Sequence, residues 1–183
     1  SKLQADVAVR ELEDDTYKVI VLRPPMIYGK GSKGNYRTLV KLAKKLPIFP
    51  DVDNERSMLY IENLCEFLCQ IMLIKSYARN SVVLLPQNGE WTKTSDMIKM
   101  IAKASGKKIV ESKGFAPAVW IGSKMPGKIG GLVNKAFGNN CYEHQISEYA
   151  GIRYQRTGLK DSVRKAEKDN KKESKMDSEE SHT

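Results

Sequence analysis

The chain has little from which to build a metal centre or a disulfide frame. Among 183 residues it has three cysteines, Cys65, Cys69 and Cys141, and two histidines, His144 and His182. An odd number of cysteines, with no Cys-x-x-Cys spacing, excludes a fully paired framework, and a Cys/His site has almost no donors to draw on. The three thiols read as reduced, small core residues. Long apolar runs are missing too. The stretch from Leu64 to Ile74 is too short and too polar to cross a bilayer, and no secretory leader is expected. A cytoplasmic protein without an integral membrane span is expected. Ser1 opens what reads as a helix already under way, so the chain is expected to start inside a longer protein.

Acids are scarce where lysine is dense. The formal net charge of +9 comes from 31 basic and 22 acidic residues. From Ala166 to Thr183, four lysines meet six acids, so the rest of the chain is near +11. Lys30, Lys33, Arg37, Lys41, Lys44 and Lys45 have no acid among them and include an i, i+4, i+7 face on one helix. Such a face is usually solvated, and it could also attract a nucleotide. Aromatics interleaved for base stacking are absent, so nucleic acid is not an expected partner.

What is present alternates between strand and helix signals. A helix opens the chain, Tyr17 to Leu22 reads as a strand, Tyr36 to Lys45 as a helix, Pro47 to Phe49 as extended and Met58 to Tyr60 as a strand. Glu62 to Lys75 reads as a helix with Leu64, Phe67, Leu68, Ile71 and Met72 as its core stripe. Ser81 to Leu85 is a strand, and Thr94 or Ser95 can cap a helix that Gly106 ends. Phe115 to Phe137 should form two helical pieces broken near Pro126-Gly127, packed against the sheet. The stretch 166–183 is Lys, Glu, Asp and Ser rich and is expected to be a disordered tail after one domain, 1–165.

Two segments carry the chemistry. Val19 to Gly31 is a β-branched run ending in Arg23-Pro24-Pro25 and a Gly-rich loop, which reads as a buried strand delivering its carboxyl end to a ligand crevice. Pro24 and Pro25 remove backbone donors, so this stretch offers a rigid wall rather than a phosphate cradle. In Arg56-Ser-Met-Leu-Tyr-Ile-Glu-Asn-Leu64, a guanidinium precedes a short apolar strand, where it could grip a phosphate through two bonds. Asn35 can cap a helix whose first N–H groups would face a diphosphate.

Leu22-Arg-Pro-Pro-Met-Ile-Tyr-Gly29, Lys33-Gly-Asn35, Leu46-Pro-Ile-Phe49 and the block from Arg56 to Leu64 occur in this order with a spacing that resembles the second half of an extended short-chain dehydrogenase/reductase. The family is that of NAD-dependent epimerases/dehydratases, and the similarity runs from Ser1 to about Glu167. The resemblance implies an α/β fold: the C-terminal part of a Rossmann-like doubly wound sheet plus the smaller substrate-binding domain, with the N-terminal cofactor half missing. It implies Lys2 as the catalytic lysine of a Tyr-x-x-x-Lys motif and, with Pro25, as a contact of the cofactor NAD (NADP if the enzyme is a reductase). Asn35 and Tyr36 would touch the diphosphate side of a UDP-sugar, Pro47, Ile48 and Phe49 would line the uracil pocket, and Arg56 would grip the diphosphate with folding nearly indifferent to its loss.

The activity implied is UDP-sugar 4-epimerisation by hydride transfer in surface-polysaccharide synthesis. The alternatives are a UDP-4-ketosugar reductase, or a non-enzymatic basic module for anions or nucleic acid. A homodimeric parent is compatible with either enzyme. The family's Gly-x-x-Gly-x-x-Gly turn does not occur in this sequence, so the chain alone is expected not to turn over. Met26 stands where several galactose-epimerizing relatives carry an Asn, and Phe115-Ala-Pro-Ala-Val119 where many carry a second phosphate-binding Arg.

Overall fold

The computed structural model describes residues 1–32, 34–74, 82–149 and 151–180. Its order is α1 (Lys2–Arg10), β1 (Ile20–Leu22), β2 (Met26–Tyr28), α2 (Asn35–Lys45), β3 (Ile48–Pro50), β4 (Met58–Tyr60), α3 (Ile61–Met72), β5 (Val82–Leu84), α4 (Thr94–Ala104), β6 (Val110–Ser112), α5 (Ala116–Lys124), α6 (Lys128–Phe137) and α7 (Leu159–Glu180). The fold is α/β, as expected. Three parallel pairs form the sheet structure, β1 with β5, β2 with β4 and β3 with β6. Parallel neighbours need a crossover between them, and α2, α3 and α4 lie within the connections. Lys33, Lys75 and Ser81 lie outside the described residues.

Two apolar clusters hold the elements together. The larger gathers Tyr28, Tyr36, Met58, Tyr60, Met97, Ile101 and Val163 from β2, α2, β4, α4 and α7. The smaller packs Phe67 and Ile71 of α3 on Leu59, Leu84 and Tyr154. Buried polar groups join them. Asn88 accepts from Tyr60 N at 3.0 Å and from Asn63 Nδ2 at 3.2 Å, while its own amide donates to the Tyr28 hydroxyl at 2.9 Å. That hydroxyl also meets Ser162 Oγ at 2.6 Å. With both oxygens partnered, the burial of this network is not penalised.

Several expectations need correction. β2 was hidden by the two prolines directly before it, and β6 by its Val-Glu-Ser composition, with Val110 exposed. On α3, Phe67 and Ile71 are buried, but Leu68 and Met72 are exposed, Met72 at 72%. The core takes a narrower stripe than the apolar pattern spans. Cys65 and Cys69 are likewise exposed on α3, and Cys141 is half-buried. α4 is capped from a distance: Asn54 Oδ1 accepts from Thr94 N at 3.1 Å, with Lys93 in the capping position. Ser1 does cap α1, in a reciprocal box with Gln4. The domain boundary at 165 cuts through α7, where Ala166 and Glu167 are fully buried. Val163 and Ala166, one turn apart, face the core, and a helix so anchored continues into its polar end. Residues 181–183 lie outside the described residues.

Candidate functional site

A cavity of about 320 Å³ opens between the start of α2 and the end of α6. Its polar lining is Asn35, Thr38, Arg56, Thr94 and Lys135, and its apolar wall includes Met26, Leu39 and Met58. Local structure explains how they meet. Gly29, Gly31 and Gly34 take positive φ values of 145°, 69° and 92°, and turn the chain from β2 into α2. A Cβ on Gly29 would lie 2.2 Å from Ile61 Cγ2, so the turn is tight against α3 as well. The Gly-x-Gly-x-x-Gly spacing between a strand and a helix was a legible signal for this turn that the sequence reading left unused. Asn35 thus opens α2 at the mouth of the cavity, and no side chain caps the helix. Its first N–H groups and the helix dipole favour an anion there.

Arg56 is fixed from both sides. Its main chain exchanges hydrogen bonds of 3.1 Å with Thr92, and its Nη1 donates to the carbonyls of Lys135 at 2.7 Å and Gly138 at 3.1 Å. Thr94 Oγ1 donates to the neighbouring Ala136 carbonyl at 2.8 Å. Together these side chains cap the carboxyl end of α6, where a cation also answers the helix dipole. Arg56 therefore has a structural task that the sequence did not reveal. Partial burial lowers the pKa of its guanidinium, which stays charged at neutral pH. Among the described residues, Nε and Nη2 of Arg56 have no hydrogen-bond partner. Lys135 adds a second cation to the cavity lining.

The other expected site residues divide. Tyr36 is a correction: its ring is buried against Tyr28 at 5.4 Å between centroids, and its hydroxyl donates to Glu167 Oε1 at 3.0 Å. Burial and the Glu167 carboxylate push its pKa far above the usual phenol value. Its side chain belongs to the core because α2 turns that face inward. Phe49 is also core, with its ring 5.6 Å from that of Phe137. Ile48 is 45% exposed and Pro47 is exposed, and neither lines the cavity. The Pro47 carbonyl is used by Val110 N at 3.0 Å, which leaves a base edge less of this backbone than the sequence suggested.

Lys2 is exposed on α1, one turn from Asp6. Asp6 accepts from Arg23 at the end of β1, from Nε at 2.9 Å and Nη2 at 2.5 Å, and pairs with Arg10 at 2.9 Å. The Arg23 guanidinium holds the Asp6 carboxyl below its ordinary pKa. Residues i and i+4 share a helix face, so this clasp turns the Lys2 side of α1 toward the strand end that carries the half-buried Pro25. For a dinucleotide, the donor set fits one end only: an ammonium and a proline wall suit a nicotinamide ring and its ribose, not a pyrophosphate. Among the described residues, no group of three His, Cys, Asp or Glu side chains could hold a metal.

No family model matches the chain. A UDP-glucose 4-epimerase of Vibrio cholerae is 30% identical over 111 residues, which is 58% of this chain and 33% of that protein. Among solved structures, UDP-glucose 4-epimerase from Thermus thermophilus in complex with NAD aligns over 92% of this chain and 51% of its own, with a TM-score of 0.59 and 15% identity. UDP-glucuronic acid 4-epimerase from Bacillus cereus, in complex with UDP-glucuronic acid and NAD, aligns over 86% and 46%, with a TM-score of 0.57 and 18% identity. The chain thus spans about half the length of these solved proteins and a third of the curated one. In sequence and in fold, it resembles the C-terminal part of an extended short-chain dehydrogenase/reductase of the NAD-dependent epimerase/dehydratase family.

Proposed function

We propose that the chain is the substrate-holding part of an NAD-dependent UDP-sugar 4-epimerase. The observation that carries this reading is the cavity itself. It brings Asn35 at the open start of α2 together with Arg56 and Lys135, from segments far apart in sequence, around a space lined by Met26 and Leu39. Cations and unpaired helix N–H groups suit a diphosphate, and an apolar wall suits a sugar or base face. Nε and Nη2 of Arg56 are left for phosphate oxygens while Nη1 holds α6. Asn35 and the N–H groups behind it would fix the second phosphate. Tyr36 acts from beneath, as the buried residue that seats the first turn of α2.

NAD supplies hydride acceptance and return at the sugar C4 when bound. For the residues of this chain, the reading assigns Lys2 to the lysine position of Tyr-x-x-x-Lys, where an ammonium favours a neighbouring phenolate and so lowers a pKa ordinarily near about 10. Pro25 would wall the nicotinamide. Pro47 and Ile48 remain available to the uracil from outside the cavity, with Phe49 supporting them from the core.

The test is thermal protection of this chain by UDP and UDP-glucose, with ADP and inorganic phosphate as controls. Saturable protection by the uridine compounds, weaker with ADP and absent with phosphate, is expected. Equal protection by every polyanion, falling steeply with salt, would replace this reading with a general anion-binding module.

A further inference from the structure

The helical pair α5 and α6 carries a surface that the UDP-sugar reading does not use. α5 packs on α6 at Gly122, where a Cβ would lie 3.3 Å from Val133 Cγ2, and at Ser123, whose carbonyl accepts from Asn134 Nδ2 at 3.1 Å. On the opposite face, Pro117, Trp120, Ile121 and Lys124 stand at i, i+3, i+4 and i+7, and all four are exposed. Trp120 is 66% exposed and Ile121 59%. Phe115 and Met125, at the two ends of the helix, are exposed as well. An indole and an aliphatic side chain on the outward face, with a phenyl ring and a methionine exposed at the two ends of the helix, gather more apolar surface than the scattered exposure normal for a surface.

The segment that carries the strip has charge of one sign. From Lys113 to Tyr142 the sequence holds four lysines and no acidic residue. Lys113 and Lys124 flank the strip and are exposed. Asp53, whose carboxylate feels the field of Lys113, is already paired with Lys93 at 2.7 Å. No helix among the described residues is long and apolar enough to span a bilayer. An apolar strip with a tryptophan on a short helix, flanked by exposed lysines, matches the chemistry of a membrane surface with anionic headgroups. A second copy seated face to face would bring the same lysines together.

We propose that the outward face of α5, with Trp120 and Ile121 on it, Phe115 and Met125 at its ends and Lys113 and Lys124 beside it, docks the protein on an anionic phospholipid surface. The rings and aliphatic side chains enter the headgroup boundary, and the lysines meet lipid phosphates.

The test is flotation of the 183-residue chain with vesicles of phosphatidylglycerol and phosphatidylcholine in equal parts, and with phosphatidylcholine alone. Binding to the anionic vesicles, lost in high salt, and a blue shift of tryptophan emission are expected. Trp120→Ser should abolish the shift, leaving only the Trp91 signal, and should lower binding about tenfold. Lys113→Glu with Lys124→Glu should weaken binding by about fivefold for each lysine charge removed, and further through repulsion. Both variants alter exposed side chains and should melt with the parent chain. Failure of the parent chain to float, equal binding to both vesicle types, or unchanged flotation of Trp120→Ser at an unchanged melting temperature would overturn the proposal. A dimer in solution that Trp120→Ser dissociates would overturn it in favour of a second copy.

Discussion

Replacing Arg56 by alanine separates the two tasks that the structure gives this residue. Nη1 spends its two protons on the Lys135 and Gly138 carbonyls at 2.7 and 3.1 Å. A hydrogen bond to a charged group contributes about 1.5 to 3 kcal/mol net, and the half-exposed setting places these two toward the lower end. Arg56→Ala should therefore cost about 1 to 3 kcal/mol in stability, a fall in Tm of several degrees for a chain of this size. If Nε and Nη2 also hold a diphosphate, UDP binding should weaken roughly tenfold to more than a hundredfold.

A control removes the first effect from the second. Thr94→Val strips the neighbouring cap of α6, the 2.8 Å bond to the Ala136 carbonyl, together with the 3.0 Å bond accepted from Asn54 Nδ2, without touching any cation. It should lower Tm by a similar amount and leave UDP binding within about twofold, because no charge-assisted bond is lost. Arg56→Lys should recover part of each loss, since one ammonium cannot serve carbonyls and phosphate in the planar fork. Calorimetric melting and titration with UDP read both quantities on the same samples. If Arg56→Ala and Thr94→Val weaken UDP binding equally, Arg56 acts only by holding α6 in place, and the diphosphate assignment fails.

Ending the chain after Lys165 should cost about 2 to 4 kcal/mol, because it removes the buried Ala166 and takes the Glu167 carboxylate from the Tyr36 hydroxyl. Ending it after Lys172 should cost less than about 1 kcal/mol, and denaturant titration of the two chains decides between a docked and a dispensable tail. The Asp6 clasp on Arg23 sets a pH dependence. Its folded carboxyl pKa lies below the ordinary 3.8, so its stabilising share is present above that value and fades as pH falls through the depressed one. Amide exchange in α1 should rise over that acid range relative to the core, and Asp6→Asn should remove the pH dependence.

The alternation of strand and helix was readable because periodicity reports burial, and burial governs most of these elements. β4 matched its expected bounds to the residue, and α2 and α4 came within a residue or so of theirs. Where the reading failed, a partner distant in sequence had decided. The stretch after Lys165 is polar by composition, yet Glu167 is fully buried because Tyr36, 131 residues earlier, presents a hydroxyl to it. No local window contains that pair. Leu68 and Met72 repeat with helical spacing, but nothing among the described residues covers them, so the pattern overstated the core. At the site, Asn35 and Arg56 were legible from residue type and neighbouring turn signals, and the structure places both at one cavity. The Tyr36 side chain went to the core, since an aromatic at a helix start serves a ligand or a core equally well by sequence.

The carboxyl end of α6 explains why Arg56 was only half legible. A helix end leaves carbonyls without partners, and here the chain provides them from β4's approach and α4's first residue, not from a local turn. Any anion held at Nε or Nη2 of Arg56 then shares a guanidinium with the cap of α6. The lysine at that same end, Lys135, lines the cavity, so α6 contributes a cation as well as receiving one. Ligand, guanidinium and helix end would form one electrostatic chain of alternating sign: phosphate, Arg56, and the negative pole of α6. Such a chain favours a positioned guanidinium over a freely moving one, because the carbonyls fix the plane of the fork before the ligand arrives and less side-chain freedom is lost on binding. The structural cap is thus not a rival to a binding role for Arg56, but the means by which its remaining donors are aimed.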